Sequence, residues 1–146
     1  MERIAILAGR SASLFARLAL GIGFLSAVAD RFGWWGPPGG TNVAWGTFPK
    51  FLDYAARLNP WAPTAAVPTI AWSVTAAEVA LGIVLLTGAY TRTAALLSGL
   101  LLLGFALGMT VGTGVKTAFD ASVFPASAAA FLLATWPAAR RPVPPG

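Results

Sequence analysis

Between Arg57 and Arg92 the chain carries a single charged side chain, Glu78, and between Arg92 and Lys116 it carries none. Stretches that long without charge cannot supply the wet face of a soluble helix or sheet. Over all 146 residues, hydrophobic side chains make up 57% and charged ones 10%. A soluble domain carries about 25% charged residues. Lipid must therefore cover much of the surface, and the length suits one domain.

A membrane helix needs about 20 mostly apolar residues. Four stretches qualify: about Ser11 to Asp30, Pro68 to Thr87, Thr93 to Gly114, and Phe119 to Trp136. The last is the shortest and carries Pro125 in its first turns, where a kink is expected unless a neighbour compensates. Arg17 interrupts the first stretch and three more follow, so a retained helix is expected rather than a cleaved signal peptide. The short tail, residues 137–146, is basic and proline-rich.

Residues 31–67 form the only substantial loop. It holds Trp34, Trp35, Trp45 and Trp61, and a Gly36–Gly40 turn that excludes helix and central strand. Within it, "TFPKFLDYAARLNP" reads as a short helix with Thr47 as N-cap, Pro49 in the first turn and Asn59-Pro60 as the stop. Phe48, Phe51, Leu52, Ala55 and Leu58 share one face; Lys50, Asp53 and Arg57 share another. Such a helix lies on the membrane surface or caps the bundle, as a plain lid or as a gate over an outward-opening site. The expected fold class is an all-α membrane protein, a four-transmembrane-helix bundle with this interfacial amphipathic helix in its first loop.

Arg3, Arg10, Arg92, Arg140 and Arg141 fall on one side of the spans; Arg31, Lys50, Arg57 and Lys116 fall on the other. Lys50 and Arg57 lie well inside the long loop, so both termini are expected in the cytoplasm and the protein in the plasma membrane. The basic residues are scattered, with no stripe for nucleic acid. The chain has no cysteine and no histidine. That rules out a thiol or disulfide centre, iron–sulfur ligation by cysteine, and His-bound haem, copper or zinc within this chain.

Gly104, Gly108 and Gly112 make a small-residue ridge on the third span, and "PASAAAF" from Pro125 offers the fourth span a matching surface. These two helices are expected to pack closely through them. Glu78 lies about ten residues, or 15 Å, from either end of its span. A central charge costs about 2.5–3.5 kcal/mol or more, so Glu78 should face the bundle interior, pair with something, or stay protonated. Arg17 is the expected partner. The pair either fixes helix register or handles a proton and binds a polar ligand head. Asp30 with Arg31, and Lys116 with Asp120, are expected to mark the interface, Asp120 as a candidate helix cap.

"RLALGIGFLSAVADRFG", "AEVALGIVLLTGAYTRTAALLSGLLLL" and "ASVFPASAAAFLLA" resemble the DoxX/DoxD-like family of small four-helix membrane proteins. The shared pattern is Arg17 and Gly21 in helix one, Glu78 and Gly82 in helix two, and a Gly88-x-x-Thr91-Arg92 turn into helix three. Relatives often end helix one with a basic residue and glycines; here Asp30-Arg31-Phe32-Gly33 precedes an unusually long tryptophan-rich loop. The resemblance implies a link to redox work. DoxD is the membrane subunit of a thiosulfate:quinone oxidoreductase, and DoxX relatives are associated with oxidative-stress complexes.

Two functions follow as expectations. In the first, the chain is a quinone-linked redox subunit with Glu78 and Arg17 as catalytic residues. Trp34, Trp35, Trp45 and Tyr54 would contact the quinone, and electron storage would lie on another subunit or on the quinone itself. In the second, it is a non-catalytic accessory or assembly subunit whose glycine ridge and aromatic loop dock another membrane protein. A transporter ranks last, for want of an inverted repeat or a broken central helix.

Overall fold

A computed structural model describes residues 1–136, and the basic tail lies outside the described residues. The described residues form helices and loops, with no strand among them. The helices are α1 (Glu2–Arg31), α2 (Phe48–Leu58), α3 (Val67–Thr87, preceded by a 3-10 turn Thr64–Ala66), α4 (Thr91–Gly112), α5 (Val115–Asp120) and α6 (Val123–Thr135). Among the described residues three segments are long and apolar enough to cross a membrane: Ile6–Arg31, Thr64–Thr87 and Thr91–Gly112, with mean hydropathy 1.8, 1.8 and 2.1. They make this a plausible membrane protein.

Helix α1 starts well before Ser11, because no proline stands in its N-terminal residues and a helix need not stop where lipid does. The expected fourth span divides instead. Asp120 ends α5, and Ser122 takes a left-handed φ of 56° before α6 begins. Pro125 is the third residue of α6, where its missing N–H has no intrahelical acceptor, so it opens the helix rather than kinking it. Asp120 does not cap α6: its carboxylate accepts from exposed Lys116 at 2.6 Å.

Helices α1 and α3 make one close pair, α4 and α6 another; the pairs meet through α3 with α4 and α1 with α6. Gly21 and Gly82 set the first pair. A Cβ on Gly21 would lie 3.1 Å from the Gly82 carbonyl, and one on Gly82 3.2 Å from the Gly21 carbonyl. Only small residues allow that approach. The helices run antiparallel, since Arg17 lies against Gly88, at the far end of α3. Gly88 has φ 77° and closes α3 in the left-handed conformation that glycine adopts freely. The Thr91 hydroxyl donates to the Gly88 carbonyl at 2.9 Å, and the Arg92 guanidinium donates to the Trp136 carbonyl at 3.1 Å. Phe24, Leu85, Ala94, Ala95 and Leu133 form a buried core that joins both pairs toward this end.

The α4–α6 contact is not built on the expected glycine ridge. Gly99 meets the Phe131 ring, and the Ser127 hydroxyl donates to the Gly99 carbonyl at 2.8 Å. Of the ridge, Gly108 and Gly112 receive the end of α2 at Leu58 and Arg57, and Gly104 meets nothing. A repeat of three glycines names a face of α4; it does not name which neighbour comes to that face.

Helix α2 packs on α3 and α4, burying Phe51 and Ala55 with Val67 and Ala71. Thr47 is its N-cap residue in extended conformation, without a side-chain capping bond, and the Asn59 amide closes it by donating to the Ala55 carbonyl at 2.9 Å.

The ridge glycines should respond differently to substitution. Gly112→Ala drives a methyl group into the Arg57 carbonyl and is expected to cost about 1–3 kcal/mol. Gly104→Ala meets open space and is expected to be neutral or to stabilise by up to about 1 kcal/mol. Helix content followed by circular dichroism through a denaturing-detergent titration ranks the two.

Candidate functional site

Val67, Ala71, Thr75, Glu78, Gly82 and Leu85 recur every three or four residues and form the buried face of α3. Glu78 is 2% exposed. Its partner is Arg31, the last residue of α1, and not Arg17. The Arg31 Nη1 donates to the Glu78 Oε2 and to the Thr75 hydroxyl, the latter at 2.8 Å. The Thr75 hydroxyl donates in turn to the Ala71 carbonyl at 2.8 Å.

The direction of helical side chains explains the pairing. Each leans toward the N-terminus of its own helix. In this antiparallel pair Arg31 leans inward from the end of α1, and Glu78 leans outward along α3 to meet it. Arg17 leans the same way along α1, but from its position nearer the N-terminus that lean carries it away from Glu78. It reaches Gly88, about ten residues or 15 Å from Glu78 along α3.

Arg31 is itself 2% exposed and so is no surface marker. Its guanidinium lies over the Phe51 ring, 3.7 Å from the centroid, with the Trp45 ring at 5.3 Å. These faces attract a cation and keep water off it. Asp30 is also buried; its Oδ2 accepts the Trp45 backbone N–H at 2.8 Å, which ties the loop to α1. Gly46, with φ 69°, sits against Pro37 and Pro38 so closely that no side chain would fit, and this holds Trp45 in place. Two buried polar atoms of this cluster have no partner among the described residues: Arg31 Nε and Asp30 Oδ1.

Beside the ion pair lies a cleft of about 1240 Å³. Arg31 and Glu78 line it, with apolar walls from α1, α3, α4 and α6 and exposed Lys50 and Asp53 of α2 at its rim. Trp45 and Tyr54 line it too, their rings 5.9 Å apart. Burial pushes the Tyr54 hydroxyl above its ordinary value, with a smaller opposing pull from Thr113, so it is a neutral donor at physiological pH. Trp34 and Trp35 lie elsewhere, 83% and 61% exposed, with the Trp35 Nε1 donating to the Ser26 carbonyl at 3.2 Å. Of the six residues singled out from sequence, the fold gathers Glu78, Trp45 and Tyr54 and leaves Arg17, Trp34 and Trp35 outside. It adds Arg31 and Thr75. The lean of helical side chains is the signal that could have found Arg31; Thr75, one turn from Glu78, carried no signal apart from that spacing.

Chemically, the cleft offers a largely apolar volume with a charge-assisted donor and a carboxylate in its wall. Among the described residues no group of three or more His, Cys, Asp or Glu gathers as a metal site. Comparison of the chain with family models, with curated proteins and with solved structures returned no match.

Glu78→Ala leaves the Arg31 guanidinium buried without its counter-charge and is expected to cost about 3–5 kcal/mol. A double-mutant cycle separates the partners. Arg31→Met and Glu78→Ala should be strongly coupled, while Arg17→Met and Glu78→Ala should add to within about 0.5 kcal/mol. Coupling of Glu78 to Arg17 instead, read from detergent unfolding, would overturn the assignment.

Proposed function

We propose that the chain is a DoxX-like integral membrane subunit of a quinone-linked redox system, similar in kind to thiosulfate:quinone oxidoreductase. It binds a quinone, or a lipid-like molecule with a similar head, in the cleft beside Arg31 and Glu78. The observation that carries this reading is an apolar cleft of about 1240 Å³ that ends on a buried Arg–Glu–Thr constellation. A quinone needs an apolar slot for its tail and donors for its carbonyl oxygens. Arg31 and Tyr54 supply donors. Glu78 exchanges a proton with the head as the ring gains electrons. The electrons come from another subunit, since a chain without cysteine or histidine has none of the usual ligands for a redox centre.

In this reading α5 and α6 together complete a fourth crossing, because α6 alone has 13 residues and spans only about 20 Å of a roughly 30 Å core. Helix α2 lies at the outer interface, and both termini face the cytoplasm of the plasma membrane. Burial of Arg31 supports that orientation, for it removes one basic residue from the outer count. The cysteine-free sequence makes this easy to check. Thr41→Cys and Ala89→Cys, both at exposed positions, should react with an impermeant thiol reagent from opposite faces of the membrane, Thr41→Cys from outside. Labelling of both from one face would refute the arrangement.

The functional test is mass spectrometry of an organic extract of protein purified in mild detergent. Wild type should carry stoichiometric quinone. Arg31→Gln/Glu78→Gln, which removes both buried charges together and so avoids stranding either, should fold and carry none. Quinone retained in that variant would sink the reading. No quinone in wild type, with a companion membrane protein in the preparation, would leave the accessory-subunit function as the better account.

A further inference from the structure

The helical glycines of α1, α3 and α4 fall into two groups. At Gly9, Gly21, Gly82, Gly99, Gly108 and Gly112 an added Cβ would press on a neighbouring helix or ring. At Gly23 and Gly104 it would meet nothing within 4 Å. Glycine weakens a helix relative to alanine, and close packing is the usual compensation. Gly23 and Gly104 have no such compensation, and both line the cleft. Gly23 lies about 12 Å inward of Arg31 on α1, and Gly104 about 12 Å inward of Gly112 at the end of α4.

The cleft walls around them face outward. Ala19 and Gly23 on α1, and Leu100, Gly104, Leu107 and Val111 on α4, are exposed and also line the cleft. At this depth on membrane-length apolar helices the surroundings are hydrocarbon. Around the ion pair the structure is closed: Phe51 and Trp45 lie on Arg31, which is 2% exposed. Arg31 nevertheless lines the cleft and keeps its Nε–H without a partner. A buried, unsatisfied donor at the end of an apolar slot fits a ligand that brings an acceptor to it.

Resting on the proposed quinone-binding function, we infer that the cleft opens sideways into the bilayer between α1 and α4, with Gly23 and Gly104 holding the portal wide. The ligand enters from lipid, head first toward Arg31, and its isoprenoid tail stays in the portal. The two glycines are positioning features of the tail channel and touch no reacting atom.

The test uses Gly104→Cys in the full chain, modified after folding so that folding itself is not at issue. The variant carries a single thiol, because the chain has no cysteine of its own. A nitroxide attached to that thiol in phosphatidylcholine vesicles should be relaxed strongly by oxygen and weakly by a water-soluble nickel chelate. The reverse order would place the opening in water and overturn the portal whatever the ligand. Purified protein is then titrated with a ubiquinone carrying a long isoprenoid tail and with one carrying a single isoprene unit. A benzyl thiosulfonate adduct at the introduced thiol should weaken the long-tailed quinone by about tenfold or more and leave the short-tailed one within about twofold. A small methyl adduct should leave both unchanged. Long-tailed binding untouched by the benzyl adduct overturns the portal while the quinone reading stands. Equal loss of both quinones places the head, not the tail, at Gly104 and also overturns it. If wild type binds neither quinone, the functional reading fails, and tail entry through the portal fails with it.

Discussion

A carboxylate in the middle of a membrane-length helix must find a positive partner or give up its charge, and much of this molecule is arranged around how Glu78 meets that demand. The partner is the last residue of α1. For Arg31 to reach Glu78, α1 must run past the level of that residue, and the first turns of α3 must continue alongside it. That overhang leaves Val67 and Ala71 exposed unless something covers them, and α2 does so with Phe51 and Ala55. Asp30 holds the loop through the Trp45 amide, and the loop places Trp45 near the guanidinium. One electrostatic requirement thus links the overhang of α1 and α3, the cover that α2 provides and the position of the loop aromatic.

The register itself rests on two glycines. Gly21 and Gly82 let the backbones of α1 and α3 approach closely, and the same crossing sets Arg17 against Gly88 one end away. In lipid there is little hydrophobic gain from joining two apolar helices, so close van der Waals contact and polar contacts decide which faces meet. The ion pair and the glycine crossing are complementary in that sense. One supplies a strong contact that tolerates little misalignment, and the other brings the helices near enough for it to form. A buried pair of this kind is weak evidence for stability. Its position on the wall of a cleft is what the proposed ligand-binding function draws on.

Packing is uneven along the helix axes. Toward the Gly88 end, Leu85, Ala95 and Leu133 fill the space between the two helix pairs. Toward α2 the pairs part and leave the cleft. A protein interior is normally packed densely, and apolar helices tend to close such a gap. Helix α2 bridges α3 and α4 at this end, its last turn seated on Gly108 and Gly112. The amphipathic segment thus covers the end of the molecule where the cleft lies beside Arg31 and Glu78.

Much of the helical outline was legible in the sequence. Mostly apolar stretches of membrane length mark α1, α3 and α4, because lipid disfavours unpaired backbone groups and charge together. The amphipathic pattern from Phe48 to Leu58, ended by Asn59-Pro60, marks α2 by the same local rules. Glu78 stood out as a buried site from its depth alone. The partner did not, since placing Arg17 opposite Glu78 assumed helices flush with the membrane faces, whereas the offset between α1 and α3 is set by the Gly21–Gly82 contact. The ridge on α4 likewise announced a close neighbour without saying that the neighbour is the end of α2. Local composition by itself determined which segments are helical and which charge must be sheltered, because those depend on each segment's own transfer energy. Which residues meet, and that they leave a cleft between them, was decided only by the tertiary structure, because it depends on the relative sliding and lean of helices far apart in sequence.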